Sequence, residues 1–279
     1  MKIKDVINYL ENKIPPYYAE DFDNVGLLVG NQELQLKGIL ITLDTLESVV
    51  DEAIEKSCNL IISFHPIIFK GLKKITGKSY VERVVLKAIK HDISIYAIHT
   101  ALDNHKFGVN NMICEKLDLI NREILIPQAS TIKKLTTYIP NNSFTKVQKA
   151  LFRSGAGHIG NYSNCSFKLK GHGSFKPEEG TDPYVGKQGE IHHEEETQLN
   201  ITYQKHLESE VLKTLFENHP YEEVAYEIET LENINQDIGI GMIGEFKTEL
   251  STTEAFKLIK ATFNPNILRH SKPHKKSIK

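Results

Sequence analysis

Two short apolar runs, each closed by a histidine, constrain this chain more than any other feature. The first is Leu60-Ile61-Ile62-Ser63-Phe64, followed at once by His65-Pro66. The second is Ile93-Ser94-Ile95-Tyr96-Ala97-Ile98, followed by His99-Thr100-Ala101-Leu102-Asp103. Near-continuous apolar runs of this length read as strands buried on both faces. Between them Val81, Val84, Val85, Ala88 and Ile89 recur at helical spacing, which predicts a helix over 80–91. Strand, helix, strand is a crossover unit with parallel strands. His65, His99 and Asp103 therefore leave the carboxyl ends of neighbouring strands, the edge where open α/β sheets place their ligands.

The surrounding chain extends the same rhythm. Ile3, Val6, Ile7, Leu10 and Ile14 make a helical stripe that Pro15-Pro16 stops. Residues 19–30 begin acidic and turn-like and end as a short strand. Residues 37–44 read as a further buried strand, 45–57 as an amphipathic helix and 108–117 as another. This alternation over the first 126 residues is that of a parallel-sheet layer fold. Near Pro127 the rhythm changes. Strands are expected at 134–139, 162–175, 197–203 and 224–231, and helices at 143–152, with Ser143 as cap, and 206–218. The order β-α-β-β-α-β is the split, ferredoxin-like pattern. The chain is thus expected to be α/β: a parallel-sheet layered domain (1–126) interrupted by an α+β insert (127–232) and resumed at 233–279. In the last segment 238–246 reads as a glycine-studded strand, and 251–261 as a helix with a Ser251/Glu254 capping box. The polar, basic residues 264–279 follow, where such a domain would be expected to supply one more strand.

Net charge is −2 over 279 residues, which gives no electrostatic case for nucleic acid as the main partner. No run approaches the ~18 to 20 apolar residues of a membrane span, and the amino terminus lacks a signal-peptide core. The three cysteines are scattered and odd in number, as in a reduced, cytoplasmic protein.

Several clusters compete as sites. His99 and Asp103, four apart, share one side of a helix or tight loop; with His65 they supply three ligands of types that suit zinc, iron, manganese or nickel. The competing reading makes His65 a strand-end residue held by its proline and Asp103 a turn cap. Asp44 ends its strand and reads first as a helix cap and second as a residue of the same edge; Asp21, Asp23 and Asn24 read first as a turn and second as a cation or substrate site. Gly239, Gly241 and Gly244 fit neither the spacing nor the position of a dinucleotide fingerprint. His192-His193 with Glu194 to Glu196 reads as a solvated connection before a metal patch, and His270 and His274 as exposed residues of a basic tail.

The chain resembles a known family, the dinuclear metal-centre hexameric proteins, also called GTP cyclohydrolase 1 type 2 homologues or NGG-interacting-factor-three-like. The matching motifs are Glu20-Asp21-Phe22-Asp23-Asn24-Val25-Gly26-Leu27, His65-Pro66-Ile67-Ile68-Phe69, His99-Thr100-Ala101-Leu102-Asp103, Asn161 to Phe167 and His219 to Tyr226. The resemblance covers essentially the whole chain. It implies a two-metal site with ligands from both halves of the α/β domain, His65 and Asp103 at ligand positions and His99 beside them. It also implies a PII/CutA-like insert, a homohexamer with the metals facing an internal cavity, and a metal-dependent hydrolase acting on a small molecule such as a nucleotide or phosphoester. Its alternative is a non-catalytic assembly whose insert senses a small molecule. Three departures stand out. Phe64 replaces the first of two consecutive histidines, Phe22 replaces a tryptophan, and the family's remaining histidine and glutamate ligands are expected beyond residue 279.

Overall fold

The computed structural model describes residues 1–273 and 276–279. Two compact units divide the chain: Met1–Pro127 with Gln236–Lys279, and Gln128–Asn235 between them.

The first unit opens with α1 (Ile3–Lys13), followed by β1 (Gly26–Val29), β2 (Ile39–Thr42), α2 (Glu47–Glu55), β3 (Leu60–Ser63), α3 (Tyr80–Lys90) and β4 (Ser94–Ala97). The strands form one sheet in the order β1-β4-β3-β2. Strands β2, β3 and β4 are parallel, with Leu60 opposite both Ile39 and Ser94. The edge strand β1 runs antiparallel to β4 and slips register between Leu27 and Val29, so the sheet is mixed at one edge.

Apolar side chains cover both faces of the central strands. Ile61 and Ile95 pack with Val50, Ala53, Val84, Val85 and Ala88 of α2 and α3. Leu60 and Tyr96 pack with Ile3 and Ile7 of α1. Each Val, Leu or Ile among them stabilises the fold by about 1.5–3 kcal/mol when fully buried. Strand β2 does not share this burial. Ile41 is 79% exposed, because β2 closes the sheet and only one of its faces is covered; the expectation of a strand buried on both faces fails there.

Two short helices follow, α4 (His99–Asn104) and α5 (Val109–Lys116), then β5 (Ile120–Gln128). A Cβ at Gly108 would lie 1.7 Å from the Leu102 carbonyl oxygen, so the turn from α4 into α5 admits glycine alone. Strand β5, which periodicity missed, carries side chains that are mostly exposed.

The second unit contains β6 (Ile132–Pro140), α6 (Phe144–Arg153), β7 (Phe167–Phe175), β8 (His192–Gln204), α7 (Glu208–Asn218) and β9 (Tyr226–Leu231). Its sheet has the order β7-β8-β6-β9, and every neighbouring pair is antiparallel. The succession β-α-β-β-α-β is the one expected from the sequence. Alternation along β8 sends Leu199 and Ile201 to one face. There they join Leu135, Ile139, Val147, Leu151, Val211 and Leu215 in a core roofed by α6 and α7. Strand β7 is shorter than expected, because Tyr162 forms only an isolated bridge with Ile159. Strand β8 is longer, absorbing His192 to Glu196.

The chain then completes the first unit with β10 (Asn235–Glu245), which pairs with β5 as a two-stranded sheet, and α8 (Thr252–Phe263). Ser251 caps α8, with Glu254 closing the capping box. At α6 the cap differs from expectation: Ser143 makes no capping hydrogen bond, and its hydroxyl bonds the Asn142 side chain instead.

Candidate functional site at the carboxyl edge of the sheet

The parallel ladder continues past its strands and fixes both histidine backbones. The His65 amide donates to the Leu43 carbonyl at 2.9 Å, and the His99 amide to the Phe64 carbonyl at 2.9 Å. His99 opens α4 with φ at +24°, sparsely populated territory for a residue with a side chain. The two imidazoles meet edge to face, ring centroids 5.3 Å apart. The Phe64 ring touches both, at 5.1 Å from His65 and 5.4 Å from His99. The aromatic that replaces an expected histidine is thus packed against both of those that remain.

Each imidazole is held from behind by a carboxylate. His65 Nδ1 donates to Asp44 Oδ1 at 2.7 Å, and His99 Nδ1 to Asp23 Oδ1 at 2.9 Å. An ionised carboxylate only accepts, so each Nδ1 carries a proton, and in the neutral ring this leaves the Nε2 lone pair for a ligand. Asp44 was expected to cap the helix that follows; Leu46 takes the N-cap position, and Asp44 turns to His65. Asp23, expected in a simple turn, has a fully buried side chain. It accepts from the Thr100 amide at 3.1 Å and from the Thr100 hydroxyl. Burial pushes the Asp23 carboxyl up, but its bonds from His99, Thr100 and Asn24 outweigh this and hold it below the ordinary carboxylate range.

The loop that carries Asp23 is fastened at several points. The Glu20 amide donates to Thr100 Oγ1 at 3.0 Å, and Asn104 Nδ2 donates to Glu20 Oε1 at 2.7 Å. Asn24 Nδ2 donates to the Ile68 carbonyl at 2.6 Å. Asp21 takes no part in this network. Phe22, 66% exposed, lies against Phe69.

Asp103 lies one helical turn past His99. Burial raises its carboxyl above the usual range; His99 and His65 pull it down, and Asp23 adds to the rise. Among the described residues its carboxylate accepts no hydrogen bond. His65, His99 and Asp103 thus share one electrostatic neighbourhood. Their chemistry suits a divalent ion, since imidazoles with Nδ1 anchored on carboxylates present Nε2 as donor. The set is nevertheless open: among the described residues no three His, Cys, Asp or Glu side chains are grouped closely enough to hold an ion.

The remaining candidates lie elsewhere. His192 and Glu194 bond each other at 2.9 Å within β8; the polar run expected as a solvated connection is strand paired with β7. Gly239, Gly241 and Gly244 belong to β10, where a Cβ at Gly239 would lie 2.2 Å from the Ile126 carbonyl oxygen; they permit close strand approach. His270 is exposed, its ring tilted against Phe256 with centroids 4.2 Å apart. His274 falls outside the described residues.

The fold and this edge define an α/β protein with a histidine–carboxylate cluster at the ends of parallel strands, interrupted by an α+β unit. The chain belongs to the Duf34/NIF3 (NGG1p interacting factor 3) family, whose model matches residues 1–279. It is 40% identical over 267 residues to a Bacillus subtilis (strain 168) protein named GTP cyclohydrolase 1 type 2 homolog, covering 95% of this chain and 72% of that one. Among solved structures it is similar to a Bacillus cereus protein related to NIF3, with TM-score 0.80 and 37% identity, covering 95% of this chain and 71% of that one. A Staphylococcus aureus protein matches with TM-score 0.70 and 30% identity, covering 96% and 70%. Among the described residues no helix is long and apolar enough to cross a membrane.

Proposed function

We propose that this chain binds divalent metal ions, of the zinc, iron, manganese or nickel type, at the carboxyl edge of β3 and β4, and that it serves a metal-dependent hydrolase acting on a nucleotide or phosphoester. One observation carries this reading: two neighbouring strand-end imidazoles each donate Nδ1–H to a carboxylate and keep Nε2 for a ligand. His65 and His99 would ligate through Nε2 and Asp103 through its free carboxylate. Asp44 and Asp23 orient the rings and fix their tautomers. When bound, a divalent ion supplies an activated water near neutral pH and polarises the centre under attack. The name of the Bacillus subtilis relative makes GTP the first substrate to try. Assembly as a homohexamer belongs to the same proposal.

Metal content per chain, measured by plasma mass spectrometry after dialysis against zinc or manganese, tests the binding. Bound metal should fall at least about tenfold in a His65→Ala/His99→Ala double variant, with an unchanged circular dichroism spectrum. Equal content in both proteins would sink the assignment. For catalysis, Asp103→Ala should abolish metal-dependent GTP turnover, and a variant as active as the parent removes Asp103 from the site.

The second unit supports a different reading, a PII/CutA-like module that binds a small molecule, because it contains a cavity of about 610 Å³. Ligand binding without any metal-dependent turnover would favour that reading.

A further inference from the structure

The cavity of the second unit lies on the sheet face that α6 and α7 leave bare. Register explains why a cavity forms there. Gly171 and Gly173 of β7 stand opposite Glu196 and Glu194 of β8. Alternation puts both glycines on the face that carries Tyr138, Glu196 and Gln198. Two glycines two apart strip that stretch of β7 of side chains. A Cβ at Gly171 would meet open space, whereas one at Gly173 would lie 2.2 Å from Glu196 Oε2. One glycine opens the floor; the other makes room for the carboxylate.

Glu196 is 8% exposed, deep burial for a charge. Its Oε1 accepts the Tyr221 hydroxyl at 2.8 Å. Among the described residues Oε2 has no hydrogen-bond partner and no cation is paired with this carboxylate. Glu196 also lines the cavity. Oε2 is unpartnered but not fully enclosed, so it keeps access to the cavity and can accept from an occupant there. Aromatic rings stand around it. Tyr221 is 5.7 Å from Phe175 and 6.2 Å from Tyr184, centroid to centroid. Burial first, then the hydrogen bond and charge of Glu196, hold the Tyr221 hydroxyl strongly protonated, so it acts as a donor. Glu222 and Glu223 add negative charge to the lining. The Glu222 carboxylate accepts the Asp182 amide at 3.1 Å, tying the 177–184 loop to the wall. Lys170 and His172 also belong to the lining, but their register opposite Thr197 and Glu195 assigns their side chains to the other sheet face.

We infer that this cavity is a binding site for an organic cation: an amine or quaternary ammonium on a small apolar body, its charge set between Glu196 and the rings of Phe175, Tyr184 and Tyr221. Aromatic faces attract such cations through their quadrupoles, and Glu196 Oε2 supplies the counter-charge. The volume suits a small organic molecule and far exceeds a bare metal ion.

Isothermal titration of the whole 279-residue chain tests the inference with three probes: choline, 2-phenylethylammonium and spermidine. At least one should bind saturably, one per chain. If choline binds, its uncharged isostere 3,3-dimethylbutan-1-ol should bind about tenfold more weakly. If an amine binds, its uncharged analogue should fail in the same way. Glu196→Gln should weaken the bound probe about tenfold or more. Tyr184→Ala, on an exposed loop, should weaken it several-fold with the melting temperature unchanged; it keeps the test open if Glu196→Gln fails to fold. No saturable binding of any probe at 10 mM, about the floor of useful affinity, overturns the inference. Equal binding of cation and isostere, or binding indifferent to both substitutions, does the same. The metal content of the first unit should not respond to either variant, so this test and that of the sheet-edge site fail separately.

Discussion

Carboxylates are spent in opposite ways in the two units. At the sheet edge of the first unit, Asp44 and Asp23 each hold a histidine by Nδ1, so the acids are consumed and the imidazoles remain available. In the cavity of the second unit a tyrosine holds the acid, Glu196, and one carboxylate oxygen remains available. The difference teaches what each site selects. Free imidazole nitrogens suit an electron-pair acceptor such as a metal; a free carboxylate among aromatic rings suits a cation that brings its own hydrogens or methyl groups.

The comparison can be broken most severely at Asp23. Its buried carboxylate joins His99, Thr100 and the 20–24 loop, so Asp23→Ala should cost about 3 kcal/mol of stability. Asp44, more than half exposed, anchors its histidine in solvent, and Asp44→Ala should cost under about 1 kcal/mol. Urea denaturation of both variants measures the ratio, and equal losses would remove the distinction between a structural anchor and an orienting one. In the second unit, Gly173→Val should cost about 1–3 kcal/mol, because the new side chain collides with Glu196; an unchanged midpoint would mean that the carboxylate moves freely.

The smallest effect sharpens the contrast between the histidines. His219 is 7% exposed. Its Nε2 donates to the Tyr138 carbonyl at 3.0 Å, and its Nδ1 accepts the Tyr221 amide at 3.1 Å. Both nitrogens are satisfied only in the neutral ring. Burial holds its pKa below the ordinary value, with the Tyr138 bond opposing. In the unfolded chain the ring takes up its proton near pH 6.5, while the folded protein resists until lower pH. Stability from this residue is therefore complete above pH 6.5 and falls as pH drops below it. His219→Gln keeps a donor and an acceptor but cannot titrate. The stability difference between parent and variant should thus change between pH 8 and pH 5.5; a constant difference would refute the neutral assignment.

What the sequence revealed follows from how local each signal is. The buried strands β3 and β4, the helix α3 between them, and His65, His99 and Asp103 at their ends were legible because apolar runs and their terminating residues are contiguous. Asp44 and Asp23 were not, since their histidine partners lie 21 and 76 residues away; short acidic residues at strand ends look like caps and turns until the sheet is assembled. His192 to Glu196 looked like a connection because polarity there hides the alternation. The exposure of β2 depends on which strand closes the sheet, which no window of sequence contains. The cavity needed the register of Gly171 and Gly173 against Glu196, between strands that a long loop separates. Sequence supplies the donors; only topology reveals which are already engaged.

Asn235 Nδ2 donates to Thr131 Oγ1 at 3.1 Å and to Gln204 Oε1 at 3.0 Å. The points where the chain enters and leaves the second unit are thereby clasped side by side. A cassette whose ends meet can be excised or transplanted through a single short splice. Joining Pro127 to Gln236 through a few flexible residues would delete it, and the same clasp would let residues 128–235 be grafted into a surface loop of an unrelated host.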